Sequence, residues 1–280
     1  MKTPAVPRIA LLTAFAMAAF AANSILCRVA VRGGHIDPAA FTTLRVVSGA
    51  FALWLMVKLS LRGRIGGDWS SALALAVYAV TFSFAYLTLT VGMGALLLFG
   101  AVQASMLVAG LMGGERLKLL QGGGFVLAVA GLVWLVLPGI TAPPPVGAAL
   151  MLAAGVAWGV YSLRGRGVSA PALATTGNFL RAAPLVALAS LPYLPRMHAD
   201  TAGVAYALAS GVLASGLGYV IWYAALGGLN ATRAAVVQLS VPVLAALGGV
   251  LLLGEDLTQR LVVASIAILG GIALVVASRR

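Results

Sequence analysis

Ten apolar runs, each close to the length a helix needs to cross a bilayer, divide the 280-residue chain from end to end. A hydrocarbon core takes about 20 residues of α-helix, and inside it each backbone polar group must be satisfied within the protein, so helices are the solution open to such runs. Charge, proline and glycine bound the runs near residues 8–31, 38–58, 70–90, 93–113, 118–138, 146–163, 171–192, 202–226, 230–253 and 260–278. The predicted fold class is therefore an all-α integral membrane protein of ten transmembrane helices. Composition agrees: 62% of residues are hydrophobic and 9% charged, against about 25% charged in soluble domains. The 34 glycines suit helices that approach closely in lipid.

A net charge of +12 would suggest nucleic acid in a soluble chain, but the basic residues stand in short clusters between apolar runs. That pattern excludes nucleic acid as the partner and points to the lipid bilayer. With a cytoplasmic N-terminus, the inner segments carry Lys2, Arg8, Lys58, Arg62, Arg64, Arg116, Lys118, Arg164, Arg166, Arg233, Arg279 and Arg280, and the outer loops only Arg32, Arg196 and Arg260. Both termini are therefore expected in the cytoplasm. Residues 1–23 look superficially like a signal peptide. The apolar run continues to Val31, however, which predicts an uncleaved first helix. The single cysteine, Cys27, allows no intramolecular disulfide and reads as a small core residue.

The chain repeats itself. At an offset of 135, AVQASM (101–106) lies on VVQLSV (236–241), pairing Gln103 with Gln238 and Ser105 with Ser240. Further on, GERL (114–117) meets GEDL (254–257), and GLVWLV (131–136) meets GIALVV (271–276). DPAAFTTLRVVSGA (37–50) corresponds to APALATTGNFLRAAPL (170–185), matching Pro38 with Pro171 and Arg45 with Arg181. Two units follow, residues 1–138 and 146–280. Each holds five spans, an odd number, so the second copy enters from the opposite side and the repeat is inverted, a symmetry that commonly builds a midplane site opening alternately to each face.

Ten spans, a five-plus-five duplication, an embedded arginine early in each half (Arg45, Arg181), Pro242 in the ninth span, and the pairs Gly114-Glu115 and Gly254-Glu255 together resemble the drug/metabolite transporter superfamily, EamA type, over nearly the whole chain. Length and aromatic content are similar to its aromatic amino-acid exporter branch, the YddG type. The resemblance implies export of amino acids, aromatic and other neutral, or of related metabolites across a bacterial inner membrane by alternating access. The first half departs from the pattern, with Leu107 where Pro242 has its counterpart and a shorter fourth span, so the halves should differ in structure.

The acidic residues Asp37, Asp68, Glu115, Asp200, Glu255 and Asp256 all fall at loops or span ends. A proton-coupled exporter usually needs a carboxylate at mid-membrane. The small multidrug pumps related to this superfamily place a glutamate in their first helix, where this chain reads AFAANSILC. Facilitated diffusion or exchange is therefore expected over proton antiport.

A zwitterionic or aromatic solute needs polar groups at one end and flat apolar surfaces at the other. Tyr78, Phe82 and Tyr86 recur every four residues, and Tyr219, Trp222 and Tyr223 form a second stripe beside Ser215, on repeat-related spans. They read as cavity linings or as helix packing. Gln103 and Gln238 form the best polar pair, as substrate ligands or as inter-helix hydrogen-bonding groups; Asn23, Trp158 and Asn178 are further candidates. Arg45 and Arg181 bind either a substrate carboxylate or backbone carbonyls at helix breaks, and their repetition favours the structural role. Arg28, one turn from Arg32, is expected near the outer surface. Gly110 with Gly114 and Gly155 with Gly159 predict close helix contacts. Pro184 and Pro242 are candidate hinges.

No metal or cofactor motif is present, and His35 and His198 both lie at loops, which argues against an enzyme. The expected partner beyond lipid is a small-molecule substrate. Competing readings are a sugar-phosphate or nucleotide-sugar-like carrier of anionic metabolites, which would welcome Arg45 and Arg181, and a proton-coupled drug exporter.

Overall fold

The computed structural model describes residues 6–60, 63–114, 118–166, 168–226, 228–229 and 237–277. Both chain ends, Glu115 and the side chain of Tyr223 lie outside what is described. Helices α1 (Val6–Arg32), α2 (Pro38–Ser60), α3 (Trp69–Ala85), α4 (Val91–Met112), α5 (Leu119–Val136), α6 (Pro145–Arg164) and α7 (Pro171–Ser190) are followed by a 3₁₀ segment, Leu191–Arg196. Helix α8 then covers 201–226, α9 is Ser240–Leu253 and α10 is Gln259–Ala277. Among the described residues, eight helices are long and apolar enough to cross a membrane, and the apolar helices Trp69–Ala85 and Ser240–Leu253 are shorter. The one β feature described is an isolated antiparallel bridge between Ile36 and Ala199.

Local chemistry explains the starts. Pro38, Pro145 and Pro171 occupy first helical positions, where the missing N–H costs nothing. Aspartates satisfy free amides at three starts: Asp37 accepts from the amides of Ala39 and Ala40, Asp68 from Ser71 and Asp200 from Gly203. At the other ends, Gly254 terminates α9 in the left-handed region at φ 65°, and Gly114 lies at φ 89° just past α4. Gly114 has open space around it, so it serves the turn and not a helix contact.

Two spans depart from regular α-helix. Helix α8 changes winding over Ala209–Leu217, where π-type pairing brings the Gly218 amide to the carbonyl of Leu213, five residues back. In the ninth span, helical residues 237–238 are separated from α9 by a turn at Leu239. Pro242 has no N–H to give the Gln238 carbonyl, which accounts for a break at that point. Helix α7, by contrast, runs unbroken through Pro184. Tyr86 caps the end of α3 and does not continue it.

Helix α3 packs on α6 and α7, α8 on α1 and α2, α4 on α6 and α9, and α1 on α9. Helix α2 lies on α7, while α5 and α10 pair with each other at the periphery. Where α4 meets α6, a β-carbon on Gly155 would stand 2.6 Å from the Leu98 carbonyl oxygen, so the glycine sets the separation. Exposed leucine, valine and phenylalanine side chains such as Phe15, Phe51, Leu119 and Leu251 cover the outside, as a lipid-facing surface requires.

Candidate functional site

A cavity of about 540 Å³ enters the bundle beside Asp68, Arg164 and Arg166 and reaches Ser24, Phe82 and Trp222 in its interior. Helices α1, α3, α4, α6, α7 and α8 and the segment before α9 all contribute to its wall.

Aromatic rings make the apolar part. Trp158 is central, with ring centroids 4.8 Å from Tyr78, 5.3 Å from Tyr161 and 5.5 Å from Tyr219. Phe20 closes the group at 5.8 Å from Tyr219 and 6.2 Å from Trp222. Rings at these spacings touch one another and make a continuous apolar wall against which a flat solute can lie. Of the stripe on α3, Tyr78 and Phe82 line the cavity. Tyr86 does not: it is wholly buried, and its ring takes the space that a β-carbon on Gly94 of α4 would need. Tyr219 and Trp222 line it from α8.

Amides and hydroxyls supply polarity. Asn23 accepts from the Ser210 hydroxyl at 2.5 Å, while its amide nitrogen lies 3.5 Å from the Tyr78 hydroxyl. The π-wound segment of α8 thus delivers Ser210 to Asn23 and Ser215 to the wall. Gln238 faces the cavity from the turn before α9, at the break that Pro242 imposes. Gln103 is half-buried and off the wall, since Val102 and Met106, on a neighbouring face of α4, are the residues that line it. Asn178 lines the mouth, and its side-chain oxygen accepts from the Asp68 amide at 2.9 Å.

The two repeat-related arginines behave differently. Arg181 donates through one nitrogen to the carbonyls of Gly66, at 2.8 Å, and Gly177, at 2.9 Å, tacking the α2–α3 loop onto α7. Arg45 is 2% exposed, reaches the Ala79 carbonyl at 3.4 Å, faces the Tyr78 hydroxyl, and leaves Nη1 without a hydrogen bond. Its guanidinium lies over the rings of Phe82 and Tyr78, 5.0 and 5.5 Å from their centroids. Leaving a buried donor unmatched costs about 1–3 kcal/mol, and more for a charged group.

The ends of the cavity contrast. At the mouth, Asp68 pairs with Arg164 at 2.8 Å. Hydrogen bonds from the Ser71 hydroxyl and amide, then from Arg164, hold the Asp68 carboxyl at about 2, below its ordinary 3.8. At the opposite end the helices are tied shut. Arg28 pairs with Glu255 at 3.1 Å and donates to the carbonyl of Tyr86. Glu255 in turn accepts from the Val91 amide at 2.7 Å, so one ion pair joins α1, the end of α3, the start of α4 and the segment after α9. His35 meets Asp200 at 2.8 Å, and Asp37 accepts from the His198 amide. The Gly203 amide, then His35, hold the Asp200 carboxyl below its usual range.

Sequence reasoning named Trp158 without its central place, and missed Phe20, Tyr161, Ser210, Arg164 and Arg166 as wall or support. Helical spacing carried part of the signal: Phe20 is three residues before Asn23, and Tyr161 three after Trp158. Ser210 carried none, because the packing of α8 on α1 brings it to Asn23.

Residues 145–277 match the EamA-like transporter family. The chain is 56% identical over 276 residues to an uncharacterized protein of Pseudomonas aeruginosa, covering 97% of this chain and 96% of that one. An uncharacterized transporter of Archaeoglobus fulgidus is 26% identical over 259 residues, 87% of this chain and 90% of its own. A second from the same organism is 26% identical over 288 residues, 96% of this chain and 97% of its own. One crystal structure superposes with a TM-score of 0.67 at 21% identity, over 94% of this chain and 97% of that one, which shows a shared fold.

Proposed function

We propose that the chain is an EamA-like transporter, as the family match over residues 145–277 supports, and that it exports aromatic and other neutral amino acids, or related metabolites, across a bacterial inner membrane by alternating access. The observation that carries this reading is one cavity, open beside Asp68 and Arg164, closed beyond Phe82, and walled by aromatic rings with amides and hydroxyls among them. Asn23, Trp158, Asn178, Gln238, Tyr78, Phe82, Tyr219 and Trp222 are its proposed substrate contacts. Gln103 and Tyr86 act through helix packing.

The ten crossings form two inverted units, residues 1–138 and 146–280. Packing supports this: exchanging each helix with its counterpart five places on turns α3 on α6 into α8 on α1, α3 on α7 into α8 on α2, and α4 on α6 into α9 on α1. The left-handed glycines Gly114 and Gly254 are counterparts too. Both termini are cytoplasmic, so the mouth lies on the side richer in Lys and Arg and the molecule stands ready to load from the cytoplasm. Opening outward requires the Arg28–Glu255 pair to part.

The test is uptake of a labelled amino-acid panel, with a sugar phosphate as control, into liposomes holding the purified protein, its Gln238→Ala form and its Gln103→Ala form. Amino-acid transport that Gln238→Ala weakens or redirects, while Gln103→Ala does not, is the expected result. Transport of the sugar phosphate alone would replace this reading with the anionic-metabolite carrier, which Arg164 and Arg166 at the mouth favour.

A further inference from the structure

Arg45 is a buried cation with no carboxylate partner among the described residues and with Nη1 left without a hydrogen bond. The carboxylates whose hydrogen bonds are described, Asp37, Asp68, Asp200 and Glu255, are all engaged at the two ends of the bundle. Its counterpart Arg181 already has two close carbonyl acceptors, so a purely structural role has a worked example in the same molecule, and Arg45 does not match it. What separates Arg45 from the cavity is the pair of rings it stacks on, Tyr78 and Phe82, both of which line the wall. Tyr78 is half-buried, and its hydroxyl faces both Arg45 and Asn23, whose amide nitrogen lies 3.5 Å away.

We propose that Arg45 is the carboxylate-binding group of the transport site and that Tyr78 is its shutter. This rests on the transporter reading of the same cavity. When the Tyr78 ring turns aside it exposes Nη1 of Arg45 and releases the amide nitrogen of Asn23, two donors for the two oxygens of one carboxylate. The body of the solute then lies among Trp158, Tyr219 and Trp222. Among the described residues no carboxylate lines the interior beyond Asp68, which is paired with Arg164, so an ammonium group has no counter-charge there. The substrate class is therefore aromatic monocarboxylates. The carboxylate is required and the α-amino group dispensable, so amino acids are one member of the class and their deaminated acids another.

The experiment is quenching of the intrinsic tryptophan fluorescence of the purified wild-type protein, titrated with phenylalanine, 3-phenylpropionate, phenylalaninamide and phenethylamine. The two carboxylates should bind with similar Kd, and the two compounds lacking a carboxylate at least about tenfold more weakly. Arg45→Gln should remove that preference, and Arg45→Lys should keep part of it. Equal binding of phenethylamine or phenylalaninamide to wild type overturns the proposal, as does a requirement for the amino group; both comparisons stand even where Arg45→Gln does not fold. Failure of all four compounds to bind, together with no amino-acid uptake in liposomes, defeats the transporter reading of the cavity itself.

Discussion

At the residue scale, glycines separate into those that hold helices together and those that do not. Gly155 on α6 has the Leu98 carbonyl and the Ala101 β-carbon where its own β-carbon would stand, at 2.6 and 2.5 Å. Backbone cannot move aside cheaply, so Gly155→Ala should destabilise the protein by about 1–3 kcal/mol. Gly122 on α5 has nothing within 4 Å of that position. Gly122→Ala should therefore be neutral or stabilising by up to about 1 kcal/mol, the helix-propensity difference. Thermal melts of the two purified variants check both; an equal drop in Tm would show that α4 and α6 are not held by this close approach. Arg45 and Arg181 make the complementary point. They occupy matching positions in the repeat, yet Arg181 reaches one carbonyl of a docked loop and one of its own helix, and Arg45 lies over two aromatic faces.

At the element scale, the closed end depends on a few polar links between helix termini. The Arg28 and Glu255 side chains are each 12% exposed, so they lie largely out of water. Removing one partner of such a pair strands the other, at a cost of about 3–5 kcal/mol. Arg28→Ala and Glu255→Gln should each lower Tm, and the double variant should lose less than the sum of the two. A coupling of about 0.5–3 kcal/mol in that cycle is the expected result; additive losses would mean that the pair does not act as a latch. The π-wound part of α8 and the break before α9 are further cases where an element departs from regular helix. Both departures bring polar groups, Ser215 and Gln238, to the cavity wall.

At the scale of the whole molecule, the question is what drives the cycle. The Asp68 carboxylate, at about 2 against an ordinary 3.8, contributes stability that is fully present above about 3.8 and is lost as pH falls through about 2. Its cap on α3 and its link to Arg164 are therefore unchanged between about pH 5 and 8. Melting temperatures of Asp68→Asn should fall below wild type by the same amount at both ends of that range. With no carboxylate among the described residues lining the cavity interior beyond Asp68, solute movement in liposomes should follow the solute gradient and ignore a clamped pH gradient. Accumulation that tracks the proton gradient would refute facilitated transport.

Much of this architecture is legible in the chain itself, because lipid leaves so few solutions. Apolar runs of bilayer length have to become helices, clustered Lys and Arg state an orientation, and proline and glycine mark where helices begin, break or turn. The break at Leu239 follows from Pro242 for that reason, and Tyr78, Phe82, Tyr219 and Trp222 share faces by helical spacing alone. Tertiary structure decided the rest. Gln103 and Gln238 have the same spacing in their repeats, but only the second lies at a helix break beside the cavity. Tyr86 continues the stripe of Tyr78 and Phe82, but the helix ends there and the ring packs on Gly94. Ser210 meets Asn23 through the packing of α8 on α1, which no spacing along the chain states. Whether a buried arginine has partners depends on groups brought in from other helices, and for Arg45 those groups are two rings, the Tyr78 hydroxyl and one carbonyl at 3.4 Å.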